Sequence, residues 1–167
     1  MRALPLHARS LLAKAAKAES GRQPPSQLTR NNLGFLLAKA SQRWNELLAD
    51  AFAAAGFPEV RPSYGSILVP LYEEDGLRMG EIARRARLSK QTMTTMIRLL
   101  ERDGLVERRA DPQDGRAAQV FLTERAQAFR PIAEATLADL TRRARRRVGT
   151  PTATAITDAL HQLSELD

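Results

Sequence analysis

Residues 90–103 combine apolar and polar side chains in a helical repeat. The apolar residues recur at intervals of three and four, which places them on one side of a helix. They are Met93, Met96, Ile97 and Leu100. The opposite side carries amide, hydroxyl and guanidinium groups, from Gln91, Thr94, Thr95, Arg98 and Arg102. Such groups hydrogen-bond to the edges of bases, so the pattern favours a helix that reads the major groove of DNA.

The alternative is an ordinary amphipathic surface helix. Such a helix typically mixes acidic residues among the basic ones along its exposed side. Here Glu101 and Asp103 come only at the far end. We therefore favour the interpretation that this segment contacts DNA bases.

A second group of cations follows, on or beside a predicted hairpin: Arg108, Arg109 and Arg116. Asp114 precedes Arg116 by two residues and is close enough in sequence to hold its guanidinium by a charge-assisted hydrogen bond. An arginine held in this way can enter the narrow, negative minor groove. The alternative is that Asp114 only shapes the turn and that Arg116 is a solvated surface cation.

The elements around these residues are predicted from capping and turn signals. A short helix over residues 80–86, with Gly80 at its start, is followed by a tight turn in which Ser89 caps the next helix. This arrangement is typical of a helix-turn-helix. Alternating residues 105–109 and 119–122 predict two strands, and the turn chemistry of residues 111–115 joins them in a hairpin, the wing.

Longer helices are expected on both sides of this module. Residues 29–55 carry a wide apolar stripe, and a second helix is expected to begin at Pro62 and to bend at Pro70. Thr123 is expected to cap a long helix that reaches about Val148, and Thr150 to cap a last one that reaches about residue 165. Glycines follow the apolar runs at the expected ends of helices, at Gly56, Gly76, Gly104 and Gly149.

The composition limits the classes of function. The 167 residues include 26 Lys and Arg against 19 Asp and Glu, a net charge of +7 that favours a polyanionic partner. The chain has no cysteine, so it has no disulfide, thiolate metal site or thiol redox switch. Its longest uncharged stretch, residues 62–72, is far shorter than the ~20 residues that span a bilayer. We expect a cytoplasmic protein without a membrane segment.

Sequence signals of catalysis are not found. The chain contains no glycine-rich phosphate loop and no nucleophile elbow, and its two histidines, His7 and His161, do not form a metal-ligand pattern. We therefore expect no enzymatic activity, no cofactor and no metal ion.

The core of the chain resembles the MarR family, from residue 77 to residue 123. The resemblance rests on LRMGEIA (77–83), LSKQTMT (88–94), LLERDGLVER (99–108), DPQDGR (111–116) and LT (122–123), in the family's order and spacing. The chain departs from the family pattern at Gly115, where a second arginine is common, and at Ala126, where a glycine is common.

The resemblance implies a two-fold dimer with a recognition helix in the major groove and an Asp-x-Arg wing in the minor groove. The residues expected to contact DNA are Ser89, Lys90, Gln91, Thr94, Thr95 and Arg98 from the helix, and Arg108, Arg109, Asp114 and Arg116 from the wing. Family members often bind small aromatic or lipophilic effectors between the dimer helices and the DNA-reading module. Such a space is predicted to be lined by Trp44, Phe52, Tyr64 and Tyr72, with simple filling of the core as the alternative.

The expected fold is mainly α with a small β-hairpin wing, a winged helix-turn-helix with N- and C-terminal dimerisation helices. Residues 1–28 form an appended arm, residues 29–58 and 124–167 dimerise, and residues 59–123 bind DNA. The expected function is that of a homodimeric repressor that binds an inverted-repeat operator in double-stranded DNA and is released by a small ligand. A winged-helix protein-interaction module and a non-specific architectural DNA-binding protein are the alternatives.

Overall fold

The computed structural model describes residues 29–112 and 114–166, with only the backbone of residues 114–116. The arm expected at residues 1–28 lies outside the described residues. The chain divides into two compact units, residues 1–42 and 43–167. In the first unit the described residues are a turn and the start of helix α1 (Leu33–Ala54). The helix begins four residues later than predicted, because the Asn32 side chain accepts a hydrogen bond from the amide of Phe35 at 2.9 Å.

The second unit contains the helix-turn-helix and its hydrophobic core. A short 3₁₀ turn (Pro62–Tyr64) leads into α2 (Gly65–Glu73), which is followed by α3 (Met79–Arg85) and α4 (Lys90–Arg102). The predicted apolar side of α4 packs inward, since Met93, Ile97 and Leu100 are all buried. They share one buried hydrophobic cluster with Ile67 and Leu71 of α2 and Ile82 of α3.

The sheet has three antiparallel strands in the order β1-β3-β2. The predicted hairpin is β2 (Val106–Asp111) with β3 (Asp114–Leu122), and both strands are longer than expected. A third strand, β1 (Leu77–Arg78), was not predicted from the sequence; it pairs with Gln119 and Val120 of β3. A two-residue strand is too short for an alternating pattern to be recognised.

Two helices complete the second unit, α5 (Glu124–Val148) and α6 (Thr150–Ser164). Phe129 of α5 packs edge-on against Phe52 of α1, with ring centroids 4.8 Å apart. In contrast, Ile156 and Leu160 on α6 are 47% and 46% exposed. No helix in the described part of the chain is long and apolar enough to cross a lipid bilayer.

The capping signals were confirmed at two positions and wrong at two others. Ser89 and Thr123 each accept a hydrogen bond from a first-turn amide of the helix that follows. Gly80 is not a cap, because α3 begins one residue earlier at Met79 and its first amides receive no side-chain cap. Thr150 is the first residue of α6 rather than its cap, since Gly149 precedes the helix. The predicted glycines at the ends of helices all have positive φ: Gly56, Gly76, Gly104 and Gly149.

Candidate nucleic-acid interface

The N-terminal end of α4 is held by Ser89, the first of the predicted contact residues. The Ser89 Oγ accepts a hydrogen bond from the amide of Thr92 at 3.1 Å and lies 2.9 Å from the Thr92 Oγ1. This cap fixes the direction in which the first turn leaves the helix-turn-helix. The Ser89 hydroxyl is exposed, so it remains accessible to a partner at the positive end of the helix.

The outer side of α4 carries long polar side chains without a partner. Lys90, Gln91 and Arg98 are exposed, and their side chains make no hydrogen bond or ion pair with any other residue that the structure describes. Positions 91 and 98 are seven residues apart, which is close to two turns, so both side chains lie on the same side. One amide and one guanidinium are therefore available there to pair with bases.

Two threonines of this surface are already engaged with the helix backbone. The Thr94 hydroxyl donates to the carbonyl of Lys90 at 2.9 Å, and the Thr95 hydroxyl donates to the carbonyl of Gln91 at 3.2 Å. A hydroxyl has one proton and two lone pairs, so these side chains present an acceptor and a methyl group rather than a donor. They suit an amino group of adenine or cytosine, or a thymine methyl.

The arginines of β2 lie on opposite faces of the strand. Arg108 faces the recognition helix and donates from Nε to Glu101 Oε1 at 2.8 Å. Arg109 pairs with Glu107, and its guanidinium carbon lies 4.4 Å above the centre of the Phe121 ring. Both are exposed ion pairs, which contribute little to stability and can exchange a carboxylate for a phosphate. Of these two arginines, Arg108 is the one that contacts α4.

The tip of the wing is anchored by a pair that the sequence analysis missed. Arg78 of β1 donates from Nε to Asp111 Oδ2 at 2.5 Å, and the Asp111 side chain is 1% exposed. β1 and β2 are both neighbours of β3, so this contact spans the middle strand. The sequence pattern indicates only that Asp111 lies in the turn of the hairpin. Its partner Arg78 could not be predicted, because Arg78 lies in β1 and that strand is not visible in the sequence pattern. The side chains of Asp114 and Arg116, and the contact predicted between them, lie outside the described residues.

The C-terminal end of α4 is fixed by a buried tyrosine. The Tyr64 hydroxyl donates to Asp103 Oδ2 at 2.5 Å, and Arg102 donates to the other oxygen at 2.8 Å. The hydrogen bond from Arg102 is the main reason that the pKa of Asp103 lies below its ordinary value. Burial is the main reason that the pKa of Tyr64 is raised.

The residues predicted to line an effector space are divided in the structure. Phe52 and Tyr72 line a cavity of about 130 Å³ between α1, α2 and α5. Tyr64 is fully buried and contacts Asp103 instead, and Trp44 is half-buried against the core. The Tyr72 hydroxyl donates to the carbonyl of Ala126 at 2.7 Å, and burial raises the pKa of Tyr72 to about 12.

Comparison with known proteins places this surface in a family. A model of the MarR family matches residues 62–118, from the 3₁₀ turn into β3. The HTH-type transcriptional repressor Rv2887 of Mycobacterium tuberculosis is 33% identical over 103 residues, which cover 62% of this chain and 72% of that protein. The chain belongs to the MarR family. The MarR match includes every predicted DNA-contact residue, from Ser89 to Arg116, whereas Trp44 and Phe52 lie outside it.

Other transcriptional regulators show similar sequences and folds. The HTH-type transcriptional regulator TtmR of Methylorubrum extorquens is 31% identical over 112 residues, which are 67% of this chain but only 55% of TtmR. A probable transcriptional regulator from Pseudomonas aeruginosa is 25% identical, with a TM-score of 0.68 over 80% of this chain and 97% of that one. The repressor CouR, bound to a 23-mer DNA duplex, shares the fold with a TM-score of 0.70 at 24% identity, over 87% of this chain and 100% of CouR.

Proposed function

We propose that this MarR-family protein is a homodimeric repressor that recognises an inverted repeat in double-stranded DNA. The observation that carries the proposal is the outer side of α4, where the side chains of Gln91 and Arg98 are exposed and make no hydrogen bond or ion pair with any other described residue. Such polar groups on a helix surface can hydrogen-bond to the edges of base pairs in the major groove. When the protein occupies this inverted repeat, it blocks access to the promoter. The relatives named as repressors support this choice.

We propose that DNA binding and dimerisation are assigned to the segments predicted from the sequence. Residues 59–123 bind DNA, and residues 29–58 and 124–167 hold two copies together. The half-exposed Ile156 and Leu160 of α6 give the second copy an apolar surface to cover. The two recognition helices of a dimer must lie about one DNA turn apart, roughly 34–36 Å, to meet successive major grooves.

The proposed contacts are those of the sequence analysis. Gln91, Thr94, Thr95 and Arg98 read bases. Ser89 and Lys90 bind phosphates at the start of α4. Arg108 adds a phosphate contact beside the helix, Arg109 a more distant one, and Arg116, held by Asp114, enters the minor groove. The protein is a cytoplasmic regulator rather than an enzyme.

Control by a small aromatic or lipophilic ligand is the second part of the proposal. The cavity that Phe52 and Tyr72 line lies between α1, α5 and the first helix of the DNA-reading module. A ligand that binds more tightly to another arrangement of the two DNA-reading modules increases the population of that arrangement. DNA binding is weakened as a result. A ligand that raises the melting temperature without releasing DNA from the complex would contradict this mechanism.

The experiment that tests the proposal is selection of bound sequences from a random duplex pool at near-physiological salt. The mass of the protein is measured in the same preparation. We expect a dimer and an enriched inverted repeat, preferred over random duplex by roughly 10³-fold or more. Arg98→Ala is expected to lose about 1–3 kcal/mol and to relax the preference at one base position in each half-site. Arg43→Ala, which removes an exposed arginine of α1, is the matched control.

Two results would overturn the proposal. Salt-sensitive binding without enrichment would indicate an architectural DNA-binding protein. Unchanged DNA affinity in both Arg98→Ala and Arg116→Ala would indicate that the winged helix binds a protein instead.

A further inference from the structure

Five arginines lie within six residues at the end of α5, close to the turn into α6. They form the arginine cluster, which consists of Arg142, Arg143, Arg145, Arg146 and Arg147. Residues 140–157, which contain the cluster, have no acidic residue. Residues 59–123, in contrast, hold eleven Lys and Arg against ten Asp and Glu. The DNA-reading module is therefore nearly neutral, and a dense positive charge lies elsewhere in the chain.

Three members of the arginine cluster have no carboxylate partner among the described residues. All five side chains are exposed, and Arg142 and Arg143 share Asp139 at distances of 3.0 and 3.9 Å. The other three make no side-chain hydrogen bond or ion pair with any residue in the described ranges. Successive residues of an α-helix are about 100° apart, so the cluster covers about 200° of the helix surface. This end of α5 is open to a large anionic partner.

The arginine cluster lies far from the reading surface. α5 begins beside the end of α4, since the amide of Thr123 donates to the carbonyl of Leu105 at 3.1 Å. α6 ends beside the helix-turn-helix, where Arg87 donates to the carbonyl of Ser164 at 3.2 Å. The turn between the two helices therefore lies at their opposite end. At about 1.5 Å per residue, the 15 residues of α6 place this turn about 22 Å from Arg87.

The chemistry of the cluster favours the phosphate backbone of DNA over a protein surface. Guanidinium groups bind phosphates through paired N–H bonds, and closely spaced cations gain most from a polyanion, because binding releases condensed counterions. Protein interfaces usually rely on buried aromatic anchors. Residues 130–167 contain no Phe, Tyr or Trp.

We propose that the arginine cluster binds the phosphate backbone of a second DNA duplex, without sequence preference, while the reading surface of α4 holds the operator. DNA is stiff over about 150 bp, so a short duplex held on α4 cannot bend back to the cluster. One protein therefore joins two segments of DNA. The inference goes beyond the proposed function, because repression by occlusion of a single site needs no second surface.

A bridging experiment tests the second surface. A duplex of about 100 bp, shorter than the persistence length, carries the enriched inverted repeat on beads, and a labelled duplex of equal length and arbitrary sequence is added. We expect the full-length protein to capture the labelled duplex. The double variant Arg146→Gln, Arg147→Gln is expected to lower capture about tenfold or more at about 0.1 M salt, since each phosphate contact contributes about 0.9 log units per decade of salt. Its affinity for the inverted repeat alone is expected to be unchanged.

The matched control is the double variant Arg43→Gln, Arg130→Gln. It removes the same charge from two exposed arginines that already pair with Glu46 and Glu134. This variant is expected to capture the labelled duplex as well as the wild type does. The mass and the melting temperature of each variant are measured in the same preparation.

Three outcomes would contradict the inference. Full capture by the double variant of Arg146 and Arg147 would exclude the cluster as the second surface. Loss of the dimer in this variant would show that the cluster binds the other copy of the chain. Preferential binding of poly-L-glutamate over the labelled duplex would indicate an acidic protein as the partner.

The experiment also separates this inference from the proposed function. If selection enriches no inverted repeat, a duplex of arbitrary sequence takes its place on the beads. Capture that depends on Arg146 and Arg147 would then support the second surface and contradict the proposed function. An enriched repeat without capture of the labelled duplex would contradict the second surface alone.

Discussion

Arg78 and Asp111 form an ion pair across the sheet, with Nε and Oδ2 2.5 Å apart, although 33 residues separate them in the chain. Asp111 is the last residue of β2, and the register of the β2–β3 pairing shifts between Ala110 and Asp111. The pair therefore fixes the hairpin at the point where its regular pairing ends. The wing is a part of a three-stranded sheet rather than an independent hairpin.

Loss of Arg78 is expected to destabilise the protein. Arg78→Ala leaves the carboxylate of Asp111 buried without this partner, so we expect a loss of about 1–3 kcal/mol in the free energy of unfolding. Urea denaturation measures it. Arg84→Ala is the control, since the Arg84–Glu81 pair is exposed and contributes little to stability. Equal losses in the two variants would show that the Asp111 pair does not anchor the wing.

Gly76 is expected to tolerate no side chain. It has a φ of +72°, and a Cβ at this position would lie 2.6 Å from Cε1 of Phe121. Gly104 has nearly the same φ, +71°, but nothing within 4 Å of its Cβ position. Both alanine variants share the backbone cost of about 1–2 kcal/mol, and Gly76→Ala adds about 1–3 kcal/mol for the clash. Phe121→Leu in the Gly76→Ala background should recover most of the additional loss.

The elements that could be predicted from the sequence are those with a long apolar repeat, a capping residue or a characteristic turn. The apolar side of α4, the caps at Ser89 and Thr123 and the hairpin follow from local spacing and turn chemistry, and the structure confirms them. The Arg78–Asp111 and Tyr64–Asp103 pairs were not predicted. Each joins residues more than 30 positions apart, and a single sequence carries no signal of such contacts. Tyr64 was accordingly interpreted as part of a ligand space instead of as a support for α4.

The support of α4 by Asp103 is expected to weaken in acid. The folded pKa of Asp103 lies below its ordinary value of 3.8, so its contribution to stability is complete above 3.8 and is lost as the pH falls through the folded pKa. Urea denaturation between about pH 5 and pH 3 measures this loss. Arg102→Ala should reduce the loss more than Tyr64→Phe does, because the hydrogen bond from Arg102 is the largest cause of the shift. The reverse order would contradict this assignment.

Assembly through α6 is expected to be sensitive to charge on one side of the helix. Leu160→Glu places a carboxylate on the half-exposed apolar side, so we expect dissociation to monomers and loss of operator binding. Gln162→Glu adds the same charge about 200° around the helix and serves as the control. Light scattering measures the mass. A dimer that persists in Leu160→Glu would show that this side of α6 is not the interface.

The ion pairs of the β2 arginines are expected to weaken the response of DNA binding to salt. Each phosphate that a protein neutralises lowers the logarithm of the binding constant by about 0.9 per decade of salt. Lys90 and Arg98 have no carboxylate partner among the described residues, whereas Arg108 and Arg109 must leave Glu101 and Glu107 before they can neutralise a phosphate. Formation of the operator complex should therefore release fewer counterions than the number of arginines suggests. Glu101→Gln frees Arg108 from its carboxylate partner, so it should make the binding constant fall more steeply with salt concentration.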